Sequence, residues 1–131
     1  MSKRVLIVDD EDSIRSALEQ LLSFEKFKTF SAPDGATALD IAASERIDIV
    51  LLDIMMPGMD GLEVLGTLKE THPDLPVIII SGHGTISTAV EATKLGAFDF
   101  IEKPFDTERL LLTIRNGITQ AELSRRNVQL E

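Results

Sequence analysis

The sequence predicts an α/β fold in which a parallel five-stranded sheet is covered by helices on both faces, a doubly wound three-layer sandwich. Two observations predict it. Three short runs, Val5-Leu6-Ile7-Val8, Ile47-Asp48-Ile49-Val50-Leu51-Leu52 and Val77-Ile78-Ile79-Ile80, are dominated by β-branched and aliphatic residues, the pattern of strands buried on both faces. Between them apolar residues recur three and four apart, the pattern of helices with one buried face. Strands alternating with helices are joined by right-handed crossovers, which makes the sheet parallel and clothes both its sides.

The elements follow in order. After the first strand, Ile14, Leu18, Leu21 and Leu22 mark a helix; residues 27–32 form a weaker strand; Ala36, Leu39, Ala42 and Ala43 mark the next helix. The run from Ile47 is the third strand, Leu62, Leu65 and Leu68 the third helix, and the run from Val77 the fourth strand. Ile86, Ala89, Val90 and Thr93 share a helical face, residues 98–101 after Gly96 form the fifth strand, and Leu110, Leu111 and Ile114 begin the last helix. That helical pattern continues almost to the terminus: Leu111, Ile114, Ile118, Ala121, Arg125 and Val128 fall at alternating spacings of three and four. The stripe is interrupted by Arg125 and is shorter than the roughly three to four heptads that define a coiled coil. It fits either a last helix with a frayed polar end or a linker or dimer helix leading toward another domain. Residues 1–120 are accordingly expected to form the domain, and 121–131 a helical extension or linker.

Composition narrows the function. A chain of 131 residues, 44% hydrophobic and 27% charged, fits one globular domain that folds alone. Without cysteine there is neither a disulfide framework nor a thiolate metal site. No stretch approaches the roughly 20 apolar residues that span a bilayer, and Met1-Ser2-Lys3-Arg4 leads straight into a short strand rather than a signal-peptide core. A cytoplasmic protein with no membrane partner is expected. The net charge of −9, with 22 Asp and Glu against 13 Lys and Arg, opposes direct binding to nucleic acid.

In a doubly wound sheet the ligand site lies at the carboxyl ends of the strands. Here those ends read Asp9-Asp10, Asp53, Ser81 and Lys103. Clustered carboxylates repel one another, so three at one edge imply either a metal or a protonated member. Mg2+, held by one or two carboxylates and completed by waters and phosphate oxygens, is the expected ion. Asp53 then serves as a nucleophile forming an acyl phosphate. Lys103 supplies a compact positive charge, and Ser81 a hydrogen bond, to the phosphoryl oxygens.

Each residue has a plainer use. Asp9 or Asp10 alone would cap the first helix, Asp53 before Pro57-Gly58 suits a turn, Lys103 alone suits solvent, and Ser81 before Gly82 a turn. Their joint placement at four strand ends favours the site. His72 and His83 have no partner at metal-ligand spacing, and Met55, Met56 and Met59 fit loop and gap-filling positions. No Gly-rich phosphate loop follows the first strand, which disfavours a bound nucleotide or flavin.

Together, Val8-Asp9-Asp10-Glu11, Leu52-Asp53-Ile54-Met55-Met56-Pro57-Gly58-Met59-Asp60-Gly61, Ser81-Gly82-His83-Gly84 and Glu102-Lys103-Pro104-Phe105 resemble the receiver domains of bacterial two-component response regulators over residues 3–120. The resemblance implies a (βα)5 flavodoxin-like sheet of order 2-1-3-4-5. It implies Asp53 as phosphoacceptor, with Asp9 and Asp10 binding Mg2+ directly or through water and Met55 lending its main-chain carbonyl. Lys103 takes the place of the family's invariant lysine, joined to Pro104 by a cis bond. Ser81 and Phe100 take the two switch positions.

Residues 81–105 look most like receivers of sigma-54-dependent, NtrC-like transcriptional activators, which continue into ATPase and DNA-binding domains absent from this chain. A severed amino-terminal domain or a single-domain regulator is implied, the extended tail favouring the first. A sensor histidine kinase would donate the phosphoryl group, and a homodimer is the expected assembly. The chain would be a signalling switch and not an enzyme in the usual sense, although it would catalyse its own phosphorylation and dephosphorylation. Two rivals are a small phosphatase using an aspartyl phosphate and a phosphorylation-independent interaction module. The adjacency of Asp9 and Asp10 counts against the first, because such phosphatases place a second Asp two residues after the nucleophile. The intact carboxylate and lysine set counts against the second.

Overall fold

A computed structural model describes residues 2–56, 59–82 and 86–130. His83, Gly84, Pro57 and Gly58, together with the side chains of Met55, Met56, Met59, Arg125 and Val128, lie outside the described part. In chain order the elements are β1 (Arg4–Val8), α1 (Asp12–Phe24), β2 (Lys28–Ala32), α2 (Gly35–Ser44), β3 (Ile49–Asp53), β4 (Met55–Met56), β5 (Met59–Asp60), α3 (Gly61–Thr71), β6 (Val77–Ser81), α4 (Ile86–Lys94), β7 (Asp99–Glu102) and α5 (Thr107–Leu130).

The main sheet runs β2-β1-β3-β6-β7, every neighbouring pair parallel. Counting these five strands alone, the order is 2-1-3-4-5, as the family resemblance implies. The two short strands β4 and β5 pair antiparallel, Met55 with Asp60 and Met56 with Met59. Nothing in the sequence marks this pair, because two residues carry no detectable alternation.

The apolar runs divide by parity, since successive side chains on a strand point to opposite faces. Leu6, Val8, Val50, Leu52, Val77 and Ile79 pack with Ala38 and Ala42 of α2, Val64, Leu65 and Leu68 of α3 and Ala92 of α4. Val5, Ile7, Ile49, Leu51, Ile78 and Ile80 pack with Leu18 and Leu22 of α1 and Leu110, Leu111, Ile114 and Ile118 of α5. Continuous runs were needed because both faces of the sheet are covered.

Boundaries moved for identifiable reasons. The third strand begins at Ile49 rather than Ile47 because Asp48 is tied to the start of β1: its carboxylate accepts from the Arg4 amide at 2.8 Å, and its own amide donates to the Arg4 carbonyl at 2.8 Å. Phe27 closes α1 instead of opening β2, its amide donating to Leu22 O at 3.0 Å. Asp34 caps α2 by accepting from the Thr37 amide at 2.8 Å, and this bond holds its carboxyl below the usual aspartate range.

As far as Ala121, the stripe along the last helix packs on the domain itself. Leu111, Ile114, Ile118 and Ala121 are all buried, whereas Leu112 and Leu123 on the other side are exposed. At Gly117 the helix comes so close to the sheet that an added Cβ would stand 2.9 Å from Ile49 Cδ1. Arg115 pairs with Glu25 at 2.9 Å, and Glu122 pairs with Lys3 near the start of the chain. None of the helices among the described residues is long and apolar enough to cross a membrane.

This division of α5 predicts unequal costs for two neighbouring truncations. Ile114→Ala should lower unfolding free energy by about 2–5 kcal/mol, whereas Leu112→Ala should stay within about 0.5 kcal/mol. Urea titration of both variants checks this, and equal losses would mean that α5 turns a different face to the sheet.

Candidate functional site

The carboxyl ends of the sheet deliver their side chains to one edge. Asp9 and Asp10 follow β1, Asp53 ends β3, Ser81 ends β6, and Lys103 follows β7. A carboxylate oxygen from each of Asp9, Asp10 and Asp53 lies within 4.8 Å of the others. Asp9 and Asp53 are buried and Asp10 is exposed. Lys103 bridges the buried pair, its Nζ 2.9 Å from Asp9 Oδ2 and 3.2 Å from Asp53 Oδ2. Burial by itself would push the Lys103 pKa down. The hydrogen bond to Asp9, then the charges of Asp53 and Asp9, outweigh it and hold the ammonium above the ordinary lysine value. Lys103 is therefore a fixed cation throughout the neutral range.

Each member is held by its own backbone. The Asp9 amide donates to Ala32 O at 3.2 Å, and Asp9 Oδ1 accepts from the Glu11 amide at 2.9 Å. Glu11, not Asp9 or Asp10, is the N-cap of α1, and it makes no side-chain cap bond. The plainer helix-capping use is thus not the one found: the Asp9 carboxylate bonds Lys103. The Lys103 amide donates to Ser81 O at 2.8 Å, joining the ends of β6 and β7, and the Lys103–Pro104 bond is cis. Ser81 is fully buried at the end of β6. Phe100 sits half-buried against the core, opposite Ile79 in the ladder.

Behind Asp53 the chain turns tightly. Met55 opens the β4–β5 hairpin opposite Asp60, whose carboxylate caps α3 by accepting from the Leu62 amide at 2.9 Å. Gly61, the next residue, crosses so near that an added Cβ would lie 2.5 Å from Ile54 Cα and 3.0 Å from Asp53 O. Glycine at this position fixes the course of the main chain on either side of Asp53.

Three carboxylates against one ammonium leave an excess of negative charge that a further cation, or a proton on one carboxylate, would reduce. The donors are all oxygen, which suits a hard divalent ion and not a thiolate-seeking metal. The cluster could coordinate a metal. His72 takes no part: it closes α3, with its Nδ1 2.8 Å from Thr71 Oγ1.

The sequence reading missed two contributors. Gly61 stands within the motif after Asp53, and only the structure shows how near it passes to Ile54. Arg15 was not singled out at all. Its guanidinium donates to the main-chain carbonyl of Asp9 and pairs with Asp12, contacts that no spacing rule foretells.

Comparison with known proteins agrees with this geometry. Residues 5–115 match the family model described as the response regulator receiver domain. The chain is 45% identical over 129 residues to a putative NtrX-like response regulator of Rickettsia bellii, an alignment covering 97% of this chain and 27% of that protein. It is 42% identical over 127 residues to the nitrogen assimilation regulatory protein NtrX of Azorhizobium caulinodans, covering 95% of this chain and 28% of that one. The crystal structure of the receiver domain of NtrX from Brucella abortus superposes with a TM-score of 0.83 at 44% identity, covering 88% of this chain and 98% of that one. The chain thus spans little more than a quarter of the length of these two curated relatives.

Two glycines of α3 should respond oppositely to alanine. Gly61→Ala forces the main chain away from Ile54 and should cost about 1–3 kcal/mol. Gly66, with nothing within 4 Å of its added Cβ, should gain about 0.5–1 kcal/mol from better helix propensity. Urea unfolding of the two variants measures the contrast.

Proposed function

Because the chain belongs to the response regulator receiver family, we propose that it is a phosphorylation-activated switch whose Asp53 accepts a phosphoryl group from the phosphohistidine of a sensor histidine kinase. The observation that carries this reading is the Lys103 bridge between two buried carboxylates at the carboxyl edge of the sheet, with a third carboxylate alongside. Asp9, Asp10 and Asp53, with the main-chain carbonyl of Met55, would hold Mg2+. When bound, that ion would offset the negative charge of the incoming phosphoryl group.

The chain's own residues carry the chemistry. An oxygen of Asp53 attacks phosphorus in line with the scissile P–N bond, which breaks to return the imidazole to the kinase and leaves a mixed anhydride on Asp53. Lys103, already between Asp9 and Asp53, donates to a phosphoryl oxygen without long travel. Preorganised charge of this sort is what phosphoryl transfer chiefly needs. Ser81 donates its hydroxyl to a second phosphoryl oxygen, and Phe100 moves into the space released. Both lie on the strands β6 and β7 that adjoin α4 and α5, so the change biases a two-state surface made by α4, β7 and α5. Water attacking the same anhydride resets the switch. The chain is a substrate that catalyses its own modification and not an enzyme with turnover on a separate ligand.

The NtrX relatives support a regulatory output, and we take that output to be sigma-54-dependent transcription, exerted through ATPase and DNA-binding domains or through a homodimer. The net charge of −9 argues against nucleic acid binding by this chain directly.

Incubation with Mg2+ and acetyl phosphate should add a single phosphoryl group to the intact mass. The adduct should vanish in Asp53→Asn and when the metal is chelated. An adduct that persists in Asp53→Asn would transfer the acceptor role elsewhere, and no adduct in the wild type would favour a phosphorylation-independent interaction module.

A further inference from the structure

The reaction proposed for Asp53 depends on the geometry of the Asp9-Asp10-Glu11 turn, and that turn is gripped by a side chain with no part in the chemistry. Arg15 lies in the first turn of α1, its amide donating to Glu11 O at 3.1 Å and its side chain only 15% exposed. Its Nη1 donates to the main-chain carbonyl of Asp9 at 2.5 Å, and its Nη2 pairs with the Asp12 carboxylate. The Asp9 carboxylate is meanwhile fixed between the Glu11 amide and Lys103 Nζ.

The carbonyl that Arg15 holds belongs to the peptide unit shared with Asp10. A peptide unit is planar, so fixing its oxygen, with the Asp9 side chain already clamped, fixes the orientation of the plane and the direction in which Asp10 leaves it. Asp10 is the exposed member of the carboxylate cluster and the one with most freedom to turn away. A guanidinium suits the task because its rigid fork bonds two acceptors at once.

We infer that Arg15 is a positioning residue: by holding the Asp9–Asp10 peptide plane it keeps the Asp10 carboxylate turned toward Asp53 and so sets the affinity of the cluster for a divalent cation. The inference rests on the reading of that cluster as a Mg2+ site. Two effects of Arg15 on a bound cation oppose each other. Its positive charge repels the ion, so a purely electrostatic role predicts tighter binding once the charge is removed. Positioning predicts the reverse, and losses of supporting contacts around metal ligands are typically about tenfold or more in affinity.

Calorimetric titration of Mg2+ into wild type, Arg15→Ala and Arg15→Lys separates these cases. Positioning predicts affinity about tenfold weaker in Arg15→Ala and intermediate in Arg15→Lys, which keeps the charge and one donor. It also predicts that the half-saturating Mg2+ for labelling by acetyl phosphate shifts by the same factor while the rate at saturating Mg2+ is kept. Urea unfolding in chelator establishes that each variant is folded, and should Arg15→Ala not fold, the Arg15→Lys shift decides alone. Wild-type affinity or tighter binding in the variants would overturn the role of Arg15 and leave the metal site intact. Absence of Mg2+ binding in the wild type would overturn the metal site and the inference together.

Discussion

Lys103 is the constraint on which the site depends. Asp9 and Asp53 are carried by adjacent strands and are both nearly inaccessible to water, an arrangement that two like charges would oppose without a cation between them. The ammonium that offsets them comes from beyond β7, separated from β3 by the whole of β6. The reach is made possible by the bond from the Lys103 amide to Ser81 O, which brings the end of β7 over the end of β6. The sheet order has the same consequence. The chain leaves β1 for β2 on one side and resumes at β3 on the other, so the helices that follow β1 and β3 lie on opposite faces and a crevice opens between those strands. The carboxylates stand in that crevice.

Strand register explains why Asp9 and Asp53 fall together at the carboxyl edge. Val8 pairs with both Ala32 and Leu52, and Asp53 with Ile80. A slip by one residue would exchange the faces of every side chain, turning Leu6 and Val8 from the α2–α3 side to the α1–α5 side and moving Asp53 off the level of Asp9. Because both faces of the sheet are covered, the core itself enforces the placement of the site. The last helix contributes to that enforcement: its stripe through Ala121 is used to cover the sheet, which leaves Leu112 and Leu123 as the apolar residues turned outward among its described positions.

The sheet, its helices and the five strand-end residues were legible in the sequence because they depend on local pattern: apolar runs, a three-to-four spacing, and the polar residues that follow directly after a run. The strand order was legible only through the family resemblance, since period and spacing do not say which strands are neighbours. What remained hidden depends on contacts between segments. Asp48 trims β3 by pairing with Arg4, which lies 44 positions earlier. Arg15 reaches back to a carbonyl, and a carbonyl has no sequence identity to read. The β4–β5 hairpin is too short to alternate. The stripe on α5 looked equally suited to a partner helix or to the sheet, because an apolar face does not announce what will cover it.

The two acidic residues after β1 look interchangeable in the sequence and are unlike in the structure. Asp9 has both carboxylate oxygens engaged, one by the Glu11 amide and one by Lys103, and is almost wholly buried. An oxygen already accepting one charge-assisted bond can accept another, but the group as a whole cannot turn without breaking both. Asp10 is exposed and sits on the same cluster. Asp9 therefore acts first as the anion that fixes Lys103, whereas Asp10 keeps its carboxylate exposed at the rim of the cluster. Removing the charge of Asp9 would take away one of the two carboxylates that hold Lys103, whereas removing that of Asp10 would leave both in place. The pair thus divides between an anion committed to the cation the protein supplies and one whose carboxylate, with the rest of the cluster, could coordinate a metal.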